Sequence, residues 1–279
     1  TRWIMEDRSD WNGPRWFYIE TAKKAYEAVR RQGVNCDSTG RDSDWFKYRV
    51  LIVPGLSSVD DRLAGKIVKY VEHGGTLVWH PFCGVKDEES RIFAGRIHPE
   101  LGRLIGSGLR DYATIPSDAV ESFEWNGIKY SGRMFCDLPE VNDARVLARF
   151  TGASWGNSPA LLCREFGKGK VYHFAVFPGE AFSDDFSSAV CSTHGNACYD
   201  DFFKVLFHQC GIEPVLDGSI PEAVEVVERT GRNERLVFLV NHSGSGQAVT
   251  LKRPMDDIYN DEKVSGSVMI APYGTRILV

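Results

Sequence analysis

The sequence predicts an α/β domain with a largely parallel sheet, followed by a small all-β antiparallel domain. In residues 48–93, two short apolar runs, Val50 to Val53 and Thr76 to Trp79, flank an amphipathic segment. Neither run alternates with polar residues, which is typical of strands covered on both faces. From about Pro214 onward, β-rich runs alternate with turn clusters, as in a meander or a small sandwich.

The length of the chain, 279 residues, is sufficient for one large domain or two modest ones. The composition changes near residues 214–220, where we place the boundary. We therefore expect a first domain over residues 1–215 and a second over residues 216–279.

The segment between the two apolar runs predicts a capped helix. Ser57 or Ser58 is the expected N-cap, and Asp60 and Asp61 suit the first turn because the helix dipole favours anions there. Gly74-Gly75 ends the helix. One helical face carries the apolar residues Leu63, Ile67, Tyr70 and Val71. Strand, helix and strand together form a βαβ unit.

The N-terminal region predicts a strand, a helix and another strand. Arg2 to Asp7 resembles a core strand with almost no lead-in, so we expect this chain to be a piece of a longer one. In the helix that follows, Ile19, Ala22, Tyr26 and Val29 share a face, and Gly33 supplies the C-cap. Val34 to Cys36 is the next expected strand.

The later segments predict further strands and two helices. The expected helices are Pro99 to Ile105 and Asp200 to Cys210, and residues 107–145 form a mixed region of strands and turns. The expected strands are Arg145 to Thr151, Pro159 to Phe166, Lys170 to Phe177, Ala223 to Arg229, Arg235 to Asn241, Gln247 to Lys252 and Gly274 to Val279.

Composition argues against several classes of partner. The net charge is -5 and no lysine or arginine cluster extends beyond pairs, so we expect no nucleic-acid partner. No apolar run approaches the length of a membrane span, and we expect no membrane partner. Seven scattered cysteines without a CxxC pair favour reduced thiols in the cytoplasm over a disulfide framework.

Cys83 is the first candidate for chemistry. It follows a predicted buried strand at a sharp turn, so it resembles the nucleophile elbow of amidotransferases. A reactive cysteine needs a histidine to keep it ionised and an acid to orient that histidine. In amidotransferases both come from a late strand, where this chain has Phe177 in the place of the histidine. We therefore expect a vestigial elbow with an inert, partly buried thiol.

Other polar residues have more ordinary explanations. His98-Pro99-Glu100 comes too early in the chain to supply the missing pair, and we expect it at the start of a helix. His80 is expected to pair with Cys83 or with neighbouring backbone, and His173 to pack in the core. The run from Cys191 through His194 to Cys198 lacks the usual zinc spacing, so a loop insertion is expected there, ahead of a disulfide or a metal site.

A set of aromatic residues in the N-terminal part of the chain suggests an interface. Aromatic anchors in loops are enriched at protein interfaces, and tryptophan also stacks on sugar faces. We expect an interface role first, core packing second and sugar contact third. The set consists of Trp11, Trp16, Phe17, Tyr18 and Trp45.

Three separated segments resemble a known family. They read LIVPGLSSVDDRLAGKIVKYVEHGGTLVWHPFCGVKDE, SPALLCREFGKGKVYHFAVFP, and RLVFLVNHSGSGQAVTL with VMIAPYGTRILV. In the same order and spacing they resemble the C-terminal half of family 42 glycoside hydrolases, the β-galactosidases. The resemblance covers essentially the whole chain. It implies a flavodoxin-like, class I glutamine amidotransferase-like trimerisation domain followed by a small β-domain, which in that family come after a catalytic (β/α)8 barrel.

The resemblance does not bring catalytic residues with it. The family uses two glutamates of the barrel, one of them following an asparagine, and retaining chemistry needs carboxyl groups about 5–5.5 Å apart. The only Asn-Glu dipeptide of this chain, Asn233-Glu234, is expected in a hairpin turn of the β-domain. The family's metal-binding cysteines also belong to the barrel, so no metal or other cofactor is expected.

The function that the sequence favours is non-catalytic. We expect the chain to support oligomer assembly and to shape the active-site cleft of a β-galactosidase-like hydrolase, as a homotrimer whose other partner is the catalytic barrel. Galactoside-type sugars would be reached only through that parent protein. The alternatives are a cysteine amidase that uses Cys83, with His80 as its base, and a stand-alone carbohydrate-binding or sensor module.

Overall fold

The computed structural model describes residues 17–115, 119–132, 135–152, 155–178, 197–218, 220–231 and 234–279. The chain divides into two compact units. The first consists of Thr1–Ala25 and Thr39–Tyr199, and the second of Tyr26–Ser38 and Asp200–Val279. Helix α1 (Phe17–Arg30) therefore contributes residues to both units. The expected strand over residues 2–7 lies outside the described residues.

A five-stranded mixed sheet forms the centre of the first unit. Its strands are β1 (Val50–Val53), β2 (Thr76–Trp79), β7 (Arg145–Arg149), β8 (Pro159–Phe166) and β9 (Gly169–Phe174), in the order β1-β2-β9-β8-β7. β1, β2 and β9 pair in parallel, whereas β8 pairs antiparallel with both β9 and β7. The two apolar runs that predicted β1 and β2 are confirmed as strands over the same residues. The hairpin of β8 and β9 is confirmed too, although β9 ends at Phe174, before the predicted end.

Helix α2 (Asp61–Glu72) connects β1 to β2 and confirms the βαβ unit. Its N-cap is Asp60, whose side chain accepts a hydrogen bond from Leu63 N at 2.6 Å, so the expectation of Ser57 or Ser58 was wrong. The physical reason is that the backbone before Asp60 is already paired: Val59 N donates to Lys86 O, and Lys86 N donates to Ser57 O. That pairing keeps the serines extended and delays the start of the helix.

The segment between β2 and β7 contains one helix and two pairs of strands. Helix α3 (Pro99–Ile105) is confirmed over the predicted residues, and it packs against α2 and β9. Two antiparallel pairs account for the region expected to be mixed. They consist of β3 (Ser107–Thr114) with β6 (Phe135–Val141), and β4 (Glu121–Trp125) with β5 (Ile128–Gly132).

The helical part of the second unit contains one correction. Helix α4 (Ala197–Gln209) forms close to the predicted position. The strand expected at Val34 to Cys36 is absent from the described backbone. Asn35 explains why, because its side-chain amide bonds both the N–H (3.0 Å) and the carbonyl oxygen (2.6 Å) of Glu228, taking the place of strand pairing.

The β-rich remainder of the second unit is antiparallel, as predicted. One sheet has the order β10-β13-β16 and the other the order β11-β12-β17-β14-β15. A single core contains residues of both sheets, among them Val237, Leu239, Val249 and Ile270. The strands are β10 (Leu216–Asp217), β11 (Val224–Thr230), β12 (Arg235–Asn241), β13 (Gln247–Leu251), β14 (Met255–Asp257), β15 (Glu262–Val264), β16 (Ser267–Ile270) and β17 (Thr275–Leu278).

The helices in the described ranges are all too short or too polar to cross a membrane.

Candidate functional site

The turn after β2 has the backbone shape of an elbow. Phe82 and Gly84 both have left-handed φ angles, 64° and 66°, on either side of Cys83. Such a φ is unfavourable for a bulky residue and persists only when its surroundings hold it. Here Phe82 is buried, its N–H donates to Asp137 Oδ1 at 3.1 Å, and its ring packs edge-on against Tyr112. At Gly84, a Cβ would lie 2.8 Å from a methyl carbon of Leu101.

The Cys83 thiol is sealed inside the protein. The residue is only 1% exposed, its Sγ accepts a hydrogen bond from Leu56 N at 3.1 Å, and it donates to Val53 O at 3.3 Å. Burial raises the pKa of this thiol to about 12. Because the thiolate is the nucleophilic form, this environment keeps Cys83 unreactive near neutral pH.

His80 lies beside Cys83 in sequence but bonds other groups. Its Nδ1 donates to Val53 O at 3.1 Å, and its Nε2 accepts a hydrogen bond from the Tyr199 hydroxyl. Its ring stacks on that of Phe177, with centroids 5.5 Å apart. Burial lowers the pKa of His80 to about 3, so the imidazole is neutral. Since both ring nitrogens already have partners, His80 has no nitrogen available to take a proton from Cys83.

A second buried histidine is paired with an acid that the sequence did not suggest. His173 lies on β9 opposite Trp79, and its Nε2 donates to Asp137 Oδ2 at 3.1 Å. Both side chains are almost fully buried. Asp137 also accepts from Phe82 N, so a single carboxylate joins β6, β9 and the elbow. An aspartate inside the apolar run of β6 was the one available sequence signal, and Tyr199 gave none.

This arrangement combines the residue types of a cysteine hydrolase without making them accessible. Cys83, His80, Asp137 and His173 are each 1% exposed and Tyr199 is 3% exposed. The described partners of Cys83 Sγ are backbone groups, and those of His173 and Asp137 are each other and Phe82 N. In this conformation these polar side chains form a buried cluster around the elbow, and the Cys83 thiol is not exposed to solvent.

His98 has a structural position, as expected. It is the N-cap of α3, where its Nδ1 accepts from Glu100 N at 3.3 Å. Its Nε2 lies 3.0 Å from Asp61 Oδ1, and its backbone N–H donates to Gly84 O at 2.8 Å. His98 thus connects α3 to α2 and to the elbow.

Of the five residues in the aromatic set, only Trp45 has a side chain that the structure describes, and it is buried. Trp45 is 5% exposed, its Nε1 donates to Gly40 O at 3.0 Å, and Lys66 Nζ lies 3.9 Å from its ring centroid. This burial fits core packing, the second interpretation, and leaves Trp45 unavailable as a surface anchor in the single chain. Trp11 and Trp16 lie outside the described residues, and of Phe17 and Tyr18 only the backbone is described.

The remaining candidates are the run from Cys191 to Cys198 and the dipeptide Asn233-Glu234. Cys191 and His194 lie outside the described residues, and of Cys198 only the backbone is described. Among the side chains that are described, no group of three His, Cys, Asp or Glu residues could hold a metal ion. Glu234 is exposed in the tight turn between β11 and β12, where Gly231 N donates to its carbonyl oxygen, so the predicted hairpin turn is confirmed for this residue.

Comparison with known families accounts for both parts of the chain. Residues 1–195 match the family of β-galactosidase trimerisation domains of glycoside hydrolase family 42. The chain belongs to this family. Residues 223–279 match the corresponding β-galactosidase C-terminal domain, so a family 42 trimerisation domain is followed here by a family 42 C-terminal domain. The resemblance seen in the sequence is confirmed.

Several β-galactosidases are similar to this chain along nearly its full length. The β-galactosidase BgaP of Planococcus sp. (strain L4) is 28% identical over 268 residues, which are 94% of this chain and 37% of the relative. The crystal structure of the β-galactosidase from Bacillus circulans sp. alkalophilus is 25% identical, with a TM-score of 0.79, over 94% of this chain and 37% of that one. The β-galactosidase of Rahnella sp. R3 has the same fold, with a TM-score of 0.82, 22% identity, and coverage of 99% of this chain and 39% of that one. The chain thus spans less than two fifths of the length of these relatives.

Proposed function

We propose that this chain is a non-catalytic region of a β-galactosidase-like glycoside hydrolase, which supports homotrimer assembly and shapes the active-site cleft. The observation that carries the non-catalytic part is the sealed Cys83 thiol, whose described hydrogen bonds all go to backbone groups. A nucleophile needs access and an activating base, and this thiol has neither in the described structure.

The fold supports a more specific assignment of the first domain. We propose a flavodoxin-like, class I glutamine amidotransferase-like domain over residues 1–215, with residues 216–279 as the β-domain. Three parallel strands with a βαβ connection and a left-handed turn at the end of β2 support this assignment. The five described cysteines, Cys36, Cys83, Cys136, Cys163 and Cys210, are free thiols, which supports a reducing compartment such as the cytoplasm.

The proposed partners are two further copies of the chain and the catalytic barrel of the parent protein. Galactoside-type sugars would bind only to that barrel. The family description of residues 1–195 as a trimerisation domain supports self-association. Trp11, Trp16, Phe17 and Tyr18 stay our candidates for the aromatic anchors of that interface.

Sedimentation equilibrium over a wide concentration range tests the assembly proposal. We expect the chain to reach a trimer at high concentration, and the Trp16→Ala variant to need a higher concentration for the same mass. Tyr259→Ala is the matched control, because Tyr259 is an aromatic residue that is 67% exposed in the β-domain. Strict monomer behaviour at the highest concentration would contradict the proposal, as would equal weakening by both variants.

A second candidate function is a cysteine hydrolase that opens on binding a substrate. The buried His173–Asp137 pair favours it, because the pair lies next to the elbow and Asp137 bonds the residue before Cys83. A thiol-directed substrate analogue that labels Cys83 in the wild type, but not in His173→Ala, would support this alternative. Labelling that is equally absent from both would favour the non-catalytic proposal.

A further inference from the structure

A surface groove beside α3 has the features of a contact site. It has a volume of about 700 Å³ and runs between the loop before α3, the start of β3 and Arg164 of β8. We propose that this α3 groove receives a convex, carboxylate-bearing segment of a second copy of the chain. The residues that carry the argument are Phe93, Ile97, Arg103, Gly108 and Arg164.

The walls of the α3 groove combine an apolar side with a charged side. Phe93 and Ile97 line it from the loop before α3, and Arg103 and Arg164 line it from the helix and from β8. Interfaces between proteins typically have an apolar centre and a polar rim, and they are enriched in arginine and aromatic residues. The groove has this distribution of side chains.

The charged side contains one guanidinium without an acidic partner in the described structure. Arg164 donates to Asp143 Oδ2 at 2.5 Å and to Leu104 O at 3.4 Å. Arg103 is exposed and lies with its guanidinium carbon 5.1 Å from the Phe166 ring centroid. No described carboxylate lies within ion-pair distance of it. Because the ring holds Arg103 in place, a carboxylate from an occupant would meet a positioned, bidentate donor.

The identity of the occupant follows from the family and from symmetry, and it rests on the proposed self-association. The groove lies within residues 1–195, which match a trimerisation domain. In a closed threefold ring each subunit presents two different surfaces, because the contacts are heterologous. A concave groove with an unpaired cation suits one of these surfaces, and its counterpart on the next copy must be convex and acidic.

Gly108 allows the groove to be filled without disturbing the subunit. A Cβ at Gly108 would meet nothing within 4 Å, and its φ is not left-handed, so a leucine there projects into open space. The experiment compares Gly108→Leu and Arg103→Glu with the wild type by sedimentation equilibrium. The matched controls are Gly40→Leu, at an exposed glycine outside the groove, and Arg110→Glu, an exposed arginine of β3 outside the groove.

We expect each groove variant to raise the dissociation constant of the trimer at least about tenfold, and the two controls to leave it unchanged. If the wild type forms a trimer that all four variants leave intact, the groove proposal is overturned and the assembly proposal stands. A wild type that stays monomeric overturns both. Circular dichroism establishes that the variants are folded, and if Gly108→Leu is not, Arg103→Glu against Arg110→Glu decides.

Discussion

Protonation of His80 gives this protein a defined sensitivity to acid. The pKa of the folded imidazole is about 3, against an ordinary value of 6.5, because burial disfavours the charged ring. Between these two pH values His80 binds a proton in the unfolded chain but not in the folded one. The free energy of unfolding is therefore unaffected by this group above pH 6.5 and falls as the pH drops toward 3. The loss reaches about 3 kcal/mol at a pH of about 4.5.

The assay is urea unfolding of the wild type and of His80→Gln at pH 7 and at a pH of about 4.5. Glutamine loses the stacking on Phe177, so the variant is less stable at pH 7, but it has no proton to take up at this position. We expect its free energy of unfolding to fall by about 3 kcal/mol less than that of the wild type between the two pH values. The exposed His73→Gln is the control and should behave as the wild type does. Equal losses in the wild type and His80→Gln would refute the reasoning, because other titrating groups are common to both.

Three further predictions concern chemistry and the polar core. The isolated chain should not hydrolyse a chromogenic β-galactoside, and turnover that survives repeated purification would contradict this. Iodoacetamide should leave Cys83 unmodified in the folded protein near pH 7, because burial holds the thiol pKa at about 12. Mass spectrometry after alkylation at a series of pH values tests this. Half-modification of Cys83 below a pH of about 7 would indicate an activated thiol. Asp137→Ala should lower the free energy of unfolding by about 1–3 kcal/mol, since it removes the acceptor of the hydrogen bond from the buried His173 Nε2. An effect below about 1 kcal/mol would mean that the pair contributes little.

The sequence predicted those parts of the fold that depend on local patterns. The apolar runs of β1 and β2 and the proline-led start of α3 are visible in a few consecutive residues, and all three appear at the predicted positions. The N-cap of α2 was misplaced because Ser57, Ser58 and Asp60 are all good caps. The choice among them is made by pairing with Lys86, which is distant in sequence.

The candidate site was predictable only in outline. The turn at Cys83 could be placed from the strand before it, but its hydrogen-bond partners come from far along the chain. Asp137 lies 36 residues from His173 and 55 from Phe82, and Tyr199 lies 119 residues from His80. A single strand pattern contains no information about such contacts, which depend on how the strands are ordered in the sheet.

The pairing of Asp137 with His173 also restricts how this sequence can change. Replacing both members of a buried hydrogen-bonded pair by apolar residues of similar shape can be nearly neutral or stabilising, whereas removing one member leaves the other unsatisfied and is destabilising. Any route from the polar pair to an apolar one by single substitutions therefore passes through a less stable protein. Asp137 also holds Phe82 in its left-handed conformation, so the substitution of this one residue disturbs the elbow as well. The pair can thus persist in a lineage because the steps away from it are unfavourable, even where it takes part in no reaction.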